Sequence, residues 1–273
     1  MNSESSTYVM GRNARETRRL GVQGRLYAGP TRHLLTLSGI EPGMRVLDVG
    51  CGAGDVTLEA ARLVGPRGSV IGVDTDADVL TVAEQRVAAE QMHHVAFQQA
   101  NVPEIPLAAP VDAIVGRLIL IHLPNPVAAV RAMRELVRPG GIIAFQDLNT
   151  YRAHSVPAAI PLVTQSLAWV SEALRFGGLS VAAGDELFAI LRDAGLHQPA
   201  LAASTPASGD PDSLMLEHIA ESAVTLLPLM ERAGIATRED VGPDTLLARL
   251  RAELRETDGV VFSPELVSAW ARV

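Results

Sequence analysis

The chain has 273 residues, 48% of them hydrophobic, which is enough for one large α/β domain or one domain with a sizeable cap. Acidic residues outnumber basic ones by 31 to 23, giving a net charge of -8 that suits a phosphate backbone poorly and disfavours nucleic-acid substrates. No apolar run is long enough to span a bilayer, and the single cysteine, Cys51, has neither a disulfide partner nor companions for a zinc site, so a soluble cytoplasmic protein without a metal is expected.

Between Gly11 and Arg32 the charge changes sign: Arg12, Arg15, Arg18, Arg19, Arg25 and Arg32 face only Glu16. The plain reading is a solvated helix face. Leu34, Leu35 and Leu37 ahead of Gly39 predict a helix docked on a sheet and ended by that glycine, and Glu41-Pro42-Gly43 is a turn into the first strand.

Arg45 to Val49 has the composition of a buried strand and breaks into glycines at 50, 52 and 54. After Asp55, Leu58, Ala61 and Val64 recur at helical spacing, which makes the unit strand, glycine turn, helix. A dinucleotide fingerprint needs its last glycine at position 55, where a pyrophosphate meets the helix N-terminus. Here Asp55 would repel a phosphate, and Asp48 adds a second negative charge. A glycine turn with no ligand is the plain alternative, while a cationic ligand without a phosphate suits the loop best. The run Val46-Leu47-Asp48-Val49-Gly50-Cys51-Gly52-Ala53-Gly54 resembles the first motif of the class I S-adenosylmethionine-dependent methyltransferases.

That resemblance implies a Rossmann-like, doubly wound α/β fold. Its seven-stranded sheet is mostly parallel, with the last strand antiparallel. It also implies S-adenosylmethionine as cofactor, held at Asp48, Gly50, Cys51, Gly52 and Gly54. Small-molecule enzymes of this class often place helices before the motif over cofactor and substrate. Tyr8 is then a candidate lid or catalytic residue, and Arg12 or Arg15 a candidate contact for an anionic acceptor.

Ser69 to Val73 predicts a second strand ending at Asp74, twenty residues after Gly54, the spacing at which a strand-tip carboxylate reaches a ribose diol. The alternative for Asp74 is the N-cap of the helix from Ala77 to Gln91, a role that Thr75, Asp76 or Asp78 could equally fill. By resemblance Asp74 accepts the ribose hydroxyls, and Thr75 and Asp76 flank the adenine. Val95 to Gln99 is a third strand ending at Ala100-Asn101-Val102. The family usually has an aspartate and an apolar residue at this tip; Asn101 departs from that, although an amide oxygen still accepts a hydrogen bond. Pro103 to Pro110 is a loop.

Val111 to Val115 predicts the fourth strand, and residues 116 to 122 fall where a methyl acceptor belongs, beyond the carboxyl ends of strands one and four. His122 is a candidate general base or a structural histidine. Arg117 is a candidate cofactor or acceptor contact; as a cation beside a sulfonium it needs either an acidic partner in the fold or an anion on the acceptor. Val127, Val130, Met133 and Val137 give a helix stopped at Arg138-Pro139-Gly140-Gly141, a further family resemblance. Gly141 to Gln146 is the fifth strand, and Asp147 at its end is open as base, substrate ligand or loop cap.

Beyond Asn149 the alternation is interrupted. Ile160, Val163, Leu167, Val170 and Leu174 form an apolar helical stripe ended by Gly177-Gly178. A helix over Asp185–Ala194, a sixth strand over Leu196–Ser204, and a second insertion follow; the latter has a helix broken near Pro228 and another through Leu246–Leu254. A seventh strand runs from Leu266. The expected division is a helical lid segment over residues 1–40 and a methyltransferase domain over 41–273, with insertions at about 150–182 and 210–257 that enclose a largely apolar pocket.

The expected function is methyl transfer to a small, partly apolar metabolite at O, N or C by in-line displacement. The expected partners are the small-molecule acceptor and not nucleic acid or a membrane, in a monomer or homodimer. A methyltransferase-like protein that keeps the cofactor without transferring the methyl group, such as a cyclase, is the alternative. An NAD-dependent oxidoreductase is opposed by Asp55 and by the last glycine standing at 54.

Overall fold

The structure, a computed structural model, describes residues 14–102, 104–156 and 160–273. In chain order the elements are α1 (Ala14–Leu37), β1 (Arg45–Val49), α2 (Asp55–Val64), β2 (Ser69–Asp74), α3 (Ala77–Ala89), β3 (Val95–Gln99), β4 (Val111–Arg117), α4 (Pro126–Arg134) and β5 (Val137–Asn149). They continue with β6 (His154–Val156), α5 (Pro161–Phe176), α6 (Ala183–Asp193), β7 (Ala200–Ser204), β8 (Ala207–Ser208), α7 (Leu214–Ala233), α8 (Arg238–Val241), α9 (Leu246–Thr257), β9 (Val260–Phe262) and β10 (Glu265–Arg272).

The chain divides into two compact units. The first to be described, spanning residues 27–147, 183–203 and 266–273, is the sheet unit. Its seven strands run in the order β3-β2-β1-β4-β5-β10-β7. The pairs β2–β3, β1–β2, β1–β4 and β4–β5 are all parallel. β10 is antiparallel to β5, because Gly140 donates to the Val273 carbonyl at 2.9 Å and Val273 to that of Gly141 at 3.0 Å, pairing the end of one strand with the start of the other. The fold class is therefore the expected one, an α/β doubly wound, mostly parallel seven-stranded sheet.

Alternation along these strands builds two cores. On one face Val46, Ala113, Val115, Ile142 and Ala144 pack with Leu34 and Leu35 of α1 and Val56, Ala60 and Val64 of α2. On the other, Leu47, Val49, Ile114, Ile143 and Phe145 pack with Val130 and Met133 of α4 and Leu187 and Leu191 of α6.

The second unit falls within residues 1–26, 148–182 and 204–265, and its described residues are mainly helical. Trp169 and Ala173 of α5, Leu216, Ile219 and Leu226 of α7, and Leu246, Leu250 and Leu254 of α9 make its core. Glu253 of α9 caps α5, accepting from the amides of Leu162 at 2.9 Å and Val163 at 3.0 Å, where α5 has no cap of its own. Arg18 and Arg25 are exposed on α1, within 4.0 Å of Glu221 and 3.9 Å of Glu217, as a solvated helix face requires. Arg19, however, is buried and donates to the buried Glu16 at 2.7 and 2.6 Å, which corrects the reading there.

Some boundaries differ from expectation. α7 runs through Pro228 and is not broken there; the buried Leu226, Leu227, Leu229 and Met230 around it supply packing that outweighs the roughly 3 kcal/mol cost of an interior proline. β4 extends through Gly116 and Arg117, and β5 starts at Val137, with a register shift against β4 between Val111 and Ala113. β7 begins at Ala200, not Leu196. A small sheet, β6-β9-β8, was not anticipated, since strands of two or three residues carry no readable period. No helix among the described residues is long and apolar enough to cross a membrane.

Candidate active site

The turn between β1 and α2 is held open by its glycines. Gly50, Gly52 and Gly54 have φ of +67°, +51° and +84°, the left-handed region that a side chain makes costly. The three differ in what surrounds them. A Cβ on Gly50 would lie 2.6 Å from Ile119 Cδ1, and one on Gly54 would lie 3.2 Å from Ala83 Cβ, so these two permit close packing. A Cβ on Gly52 would meet nothing within 4 Å. Cys51 turns away from that open side: it is buried, a Cβ on Gly72 would meet its Sγ at 3.1 Å, and burial raises its thiol pKa.

Asp74, at the end of β2, accepts hydrogen bonds from the amides of Gly52 at 2.9 Å and Asp76 at 3.1 Å. It does not cap α3. Asp76 does so, accepting from Asp78 at 2.9 Å and Val79 at 3.4 Å. Thr75 is exposed beside it, and at the next strand tip Asn101 is exposed, pairs with Glu104 in an isolated bridge, and precedes the half-buried Val102.

Asp48 is fully buried in β1. Its Oδ2 accepts from Thr57 Oγ1 at 2.6 Å, whereas Oδ1 has no hydrogen-bond partner. Burial pushes its pKa up to about 7; the Thr57 hydrogen bond and the Arg117 charge oppose the rise, and Asp74 and Asp55 add to it.

The side chain of Arg117, at the end of β4, is buried, and its partners lie within the fold. Nη1 donates to Thr31 Oγ1 at 3.0 Å and Nη2 is 3.8 Å from Asp55 Oδ2. Burial lowers its pKa, against the raising effect of Asp55 and Asp48. Asp55 also receives Arg86 Nη2 at 2.8 Å. The sequence argument that Asp55 presents its charge to the ligand is thereby corrected, because two arginines take up that charge. The polar chain continues from Thr31, which donates to Gln146 Oε1 at 2.9 Å, and Gln146 donates to Ser268 Oγ at 2.8 Å.

After Arg117 the backbone bends sharply. Leu118 has φ +57°, unusual for a branched residue, and its amide donates to the Gln146 carbonyl at 2.7 Å. A 3₁₀ turn over Leu120–His122 follows, with His122 half-buried. Asp147 stands at the end of β5, 1% exposed, on the sheet face opposite Arg117. Tyr8 and Arg12 lie outside the described residues, as does the side chain of Arg15. Among the described residues no cluster of His, Cys, Asp or Glu could hold a metal.

A family model described as a methyltransferase domain matches residues 40–194. The chain belongs to this methyltransferase family. Among its relatives, the aklanonic acid methyltransferase DauC of Streptomyces sp. (strain C5) is 31% identical over 57% of this chain and 74% of that one. The demethylmenaquinone methyltransferase of Geobacillus stearothermophilus is 33% identical over 38% of this chain and 44% of that one. The chain thus spans about half the length of the first curated relatives it matches. A SAM-dependent methyltransferase from Aquifex aeolicus shares the fold at a TM-score of 0.54, with 22% identity over 70% of this chain and 91% of that one. The [4+2]-cyclase SpnF shares it at 0.52, with 19% identity over 89% and 80%.

Within this methyltransferase domain, the groups that the sequence reading missed are Thr31, Thr57, Arg86, Gln146 and Ser268. None lies in a motif. The one available signal was Asp55 itself, a helix-terminal acid near a proposed cofactor that needed cations to hold it.

Proposed function

We propose that this chain transfers the methyl group of S-adenosylmethionine to a small, partly apolar metabolite. The observation that carries the reading is the β1–α2 turn: left-handed glycines with open space over Gly52, beside a buried Asp48 oxygen that lacks a partner. An orphaned carboxylate oxygen fits an ammonium group, and the open backbone fits a ligand lying close to it. Asp74 would take the ribose hydroxyls, with Thr75, Asn101 and Val102 at the adenine end and Gly50, Gly52 and Gly54 along the backbone. Cys51 would contribute through its backbone alone, and Arg117 by holding Asp55 and the turn. When bound, S-adenosylmethionine supplies a methyl group on a sulfonium, open to in-line attack. The chain's own part is to orient the acceptor and exclude water, with His122 and Asp147 as the groups able to hold or move a proton.

The related demethylmenaquinone and aklanonic acid methyltransferases support a small apolar acceptor. Incubation with methyl-labelled S-adenosylmethionine and a fractionated cell extract, followed by mass spectrometry, tests the proposal. Label in a small-molecule fraction is expected and gives the acceptor's mass. Because the fold is shared with a cyclase, bound cofactor with no label transferred would instead favour a non-transferring role.

A further inference from the structure

Asp147 is 1% exposed, and neither of its carboxyl oxygens has a hydrogen-bond partner. Alternation along β5 puts it on the same face as Ile143 and Phe145, over α4 and α6. The charged group facing it is Glu186 of α6, of the same sign, while the backbone amide of Ile121 in the 3₁₀ turn after β4 is the favourable dipole toward it. Burial first, then Glu186, raises its pKa well above the usual carboxylate range, with the Ile121 amide opposing.

A buried carboxyl with no side-chain partner and only one backbone amide directed at it weakens the fold that contains it. It lies two positions before β5 ends at Asn149, near the carboxyl edge of the sheet where open α/β folds bind ligands. The adjoining turn is itself strained, with Leu118 in the left-handed region.

Resting on the methyl-transfer reading, we propose that Asp147 binds the methyl acceptor, and that the acceptor is a neutral oxygen compound of the phenol or enol class presenting a hydroxyl beside a carbonyl. A carboxylic acid offers one donor and one acceptor, and a hydroxyl–carbonyl pair answers both. An oxygen hydrogen-bonded in this way keeps a lone pair for the methyl group. An amine is a poorer match, since a carboxylate would hold it as an ammonium ion, which has no lone pair to attack with.

The test uses the full chain with Asp147→Leu and Asp147→Asn. The probes are 2′-hydroxyacetophenone, which has the hydroxyl–carbonyl pair, and benzylamine, with binding titrated by NMR. Wild-type protein is expected to bind the hydroxyketone, and to bind benzylamine only weakly or not at all. Asp147→Leu should weaken hydroxyketone binding about tenfold or more, and Asp147→Asn, which keeps a donor and an acceptor, by less than about threefold. The thermal midpoint of Asp147→Leu should stay level or rise by about 2–4 °C, as removal of an unpaired buried acid predicts; a purely structural role would lower it. No hydroxyketone binding to wild type, equal binding by the leucine variant, stronger binding of benzylamine, or a lowered midpoint would each overturn the assignment. Calorimetry with S-adenosylmethionine on the wild type separates the two readings: no cofactor binding removes the proposed function, whereas these outcomes concern Asp147 alone.

Discussion

The two faces of the seven-stranded sheet treat buried charge in opposite ways. On the α1–α2 face, Arg117, Asp55, Arg86, Thr31, Gln146 and Ser268 form a connected chain of hydrogen bonds and ion pairs. On the α4–α6 face, Asp147 is equally buried, and no side chain hydrogen-bonds to either of its oxygens. A buried polar group with all its partners fixes structure, whereas one without them costs stability and keeps its valence for a ligand. Asp48 combines both conditions in one side chain, with Oδ2 answered by Thr57 and Oδ1 open.

Removal of a partnered group should produce the largest loss. Arg117→Leu leaves Asp55 short of one cation, and breaking a buried pair in this way costs about 3–5 kcal/mol. Because Arg86 still holds Asp55, about 3 kcal/mol is expected in urea unfolding. A small loss of stability combined with a large rise in acceptor KM would instead place Arg117 on the substrate.

The half-partnered Asp48 should make stability depend on pH. Its pKa is about 7 in the fold against 3.8 as the ordinary value, so between these limits the native state binds the extra proton. Stability is therefore greatest below about pH 4 as far as this group is concerned, and falls by up to about 1.4 kcal/mol per pH unit as the pH rises to 7. Asp147, also shifted upward, acts in the same direction. Denaturation curves from pH 5 to 8 should show the fall in wild type and a shallower one in Asp48→Asn; identical slopes would remove Asp48 as their source. Cofactor affinity should move oppositely, strengthening as Asp48 ionises.

Smaller effects are expected at the turn itself. Asp74→Ala should weaken S-adenosylmethionine binding by about 10- to 100-fold, the worth of charge-assisted hydrogen bonds, with unchanged affinity in calorimetry counting against the ribose role. Gly52→Ala should cost about 1 kcal/mol of stability from its left-handed backbone, since no neighbour obstructs the methyl. A larger loss of cofactor affinity than of stability would show that the ligand occupies the open side.

Local features were the legible ones. The residues from Val46 to Asp55 state a strand, a glycine turn and a helix within ten positions, and the hydrophobic runs located the other main strands. The seven-stranded sheet and its antiparallel last strand came by resemblance to a family and not from periodicity. What escaped reading depends on distance along the chain. Thr31 meets Gln146 across 115 positions and Arg117 across 86, and no local pattern in either sequence segment announces the other. Arg117 was left open between a partner in the fold and an anionic acceptor; only the approach of Asp55 and Thr31 supplies the internal partner. The left-handed Leu118 was equally hidden, because branched residues give no sign of adopting that backbone.

The sheet order has a consequence for how the molecule is made. β10, the latest of the seven strands in sequence, lies between β5 and β7, both synthesised before it. Until it emerges from the ribosome, those two strands have unsatisfied edges open to pairing with any extended chain. Glu253, which caps α5 from some ninety positions downstream, delays the helical unit in the same way. Each unit therefore closes only after its last element in chain order has been made, and until then the open strand edges are exposed to pairing with other extended chains.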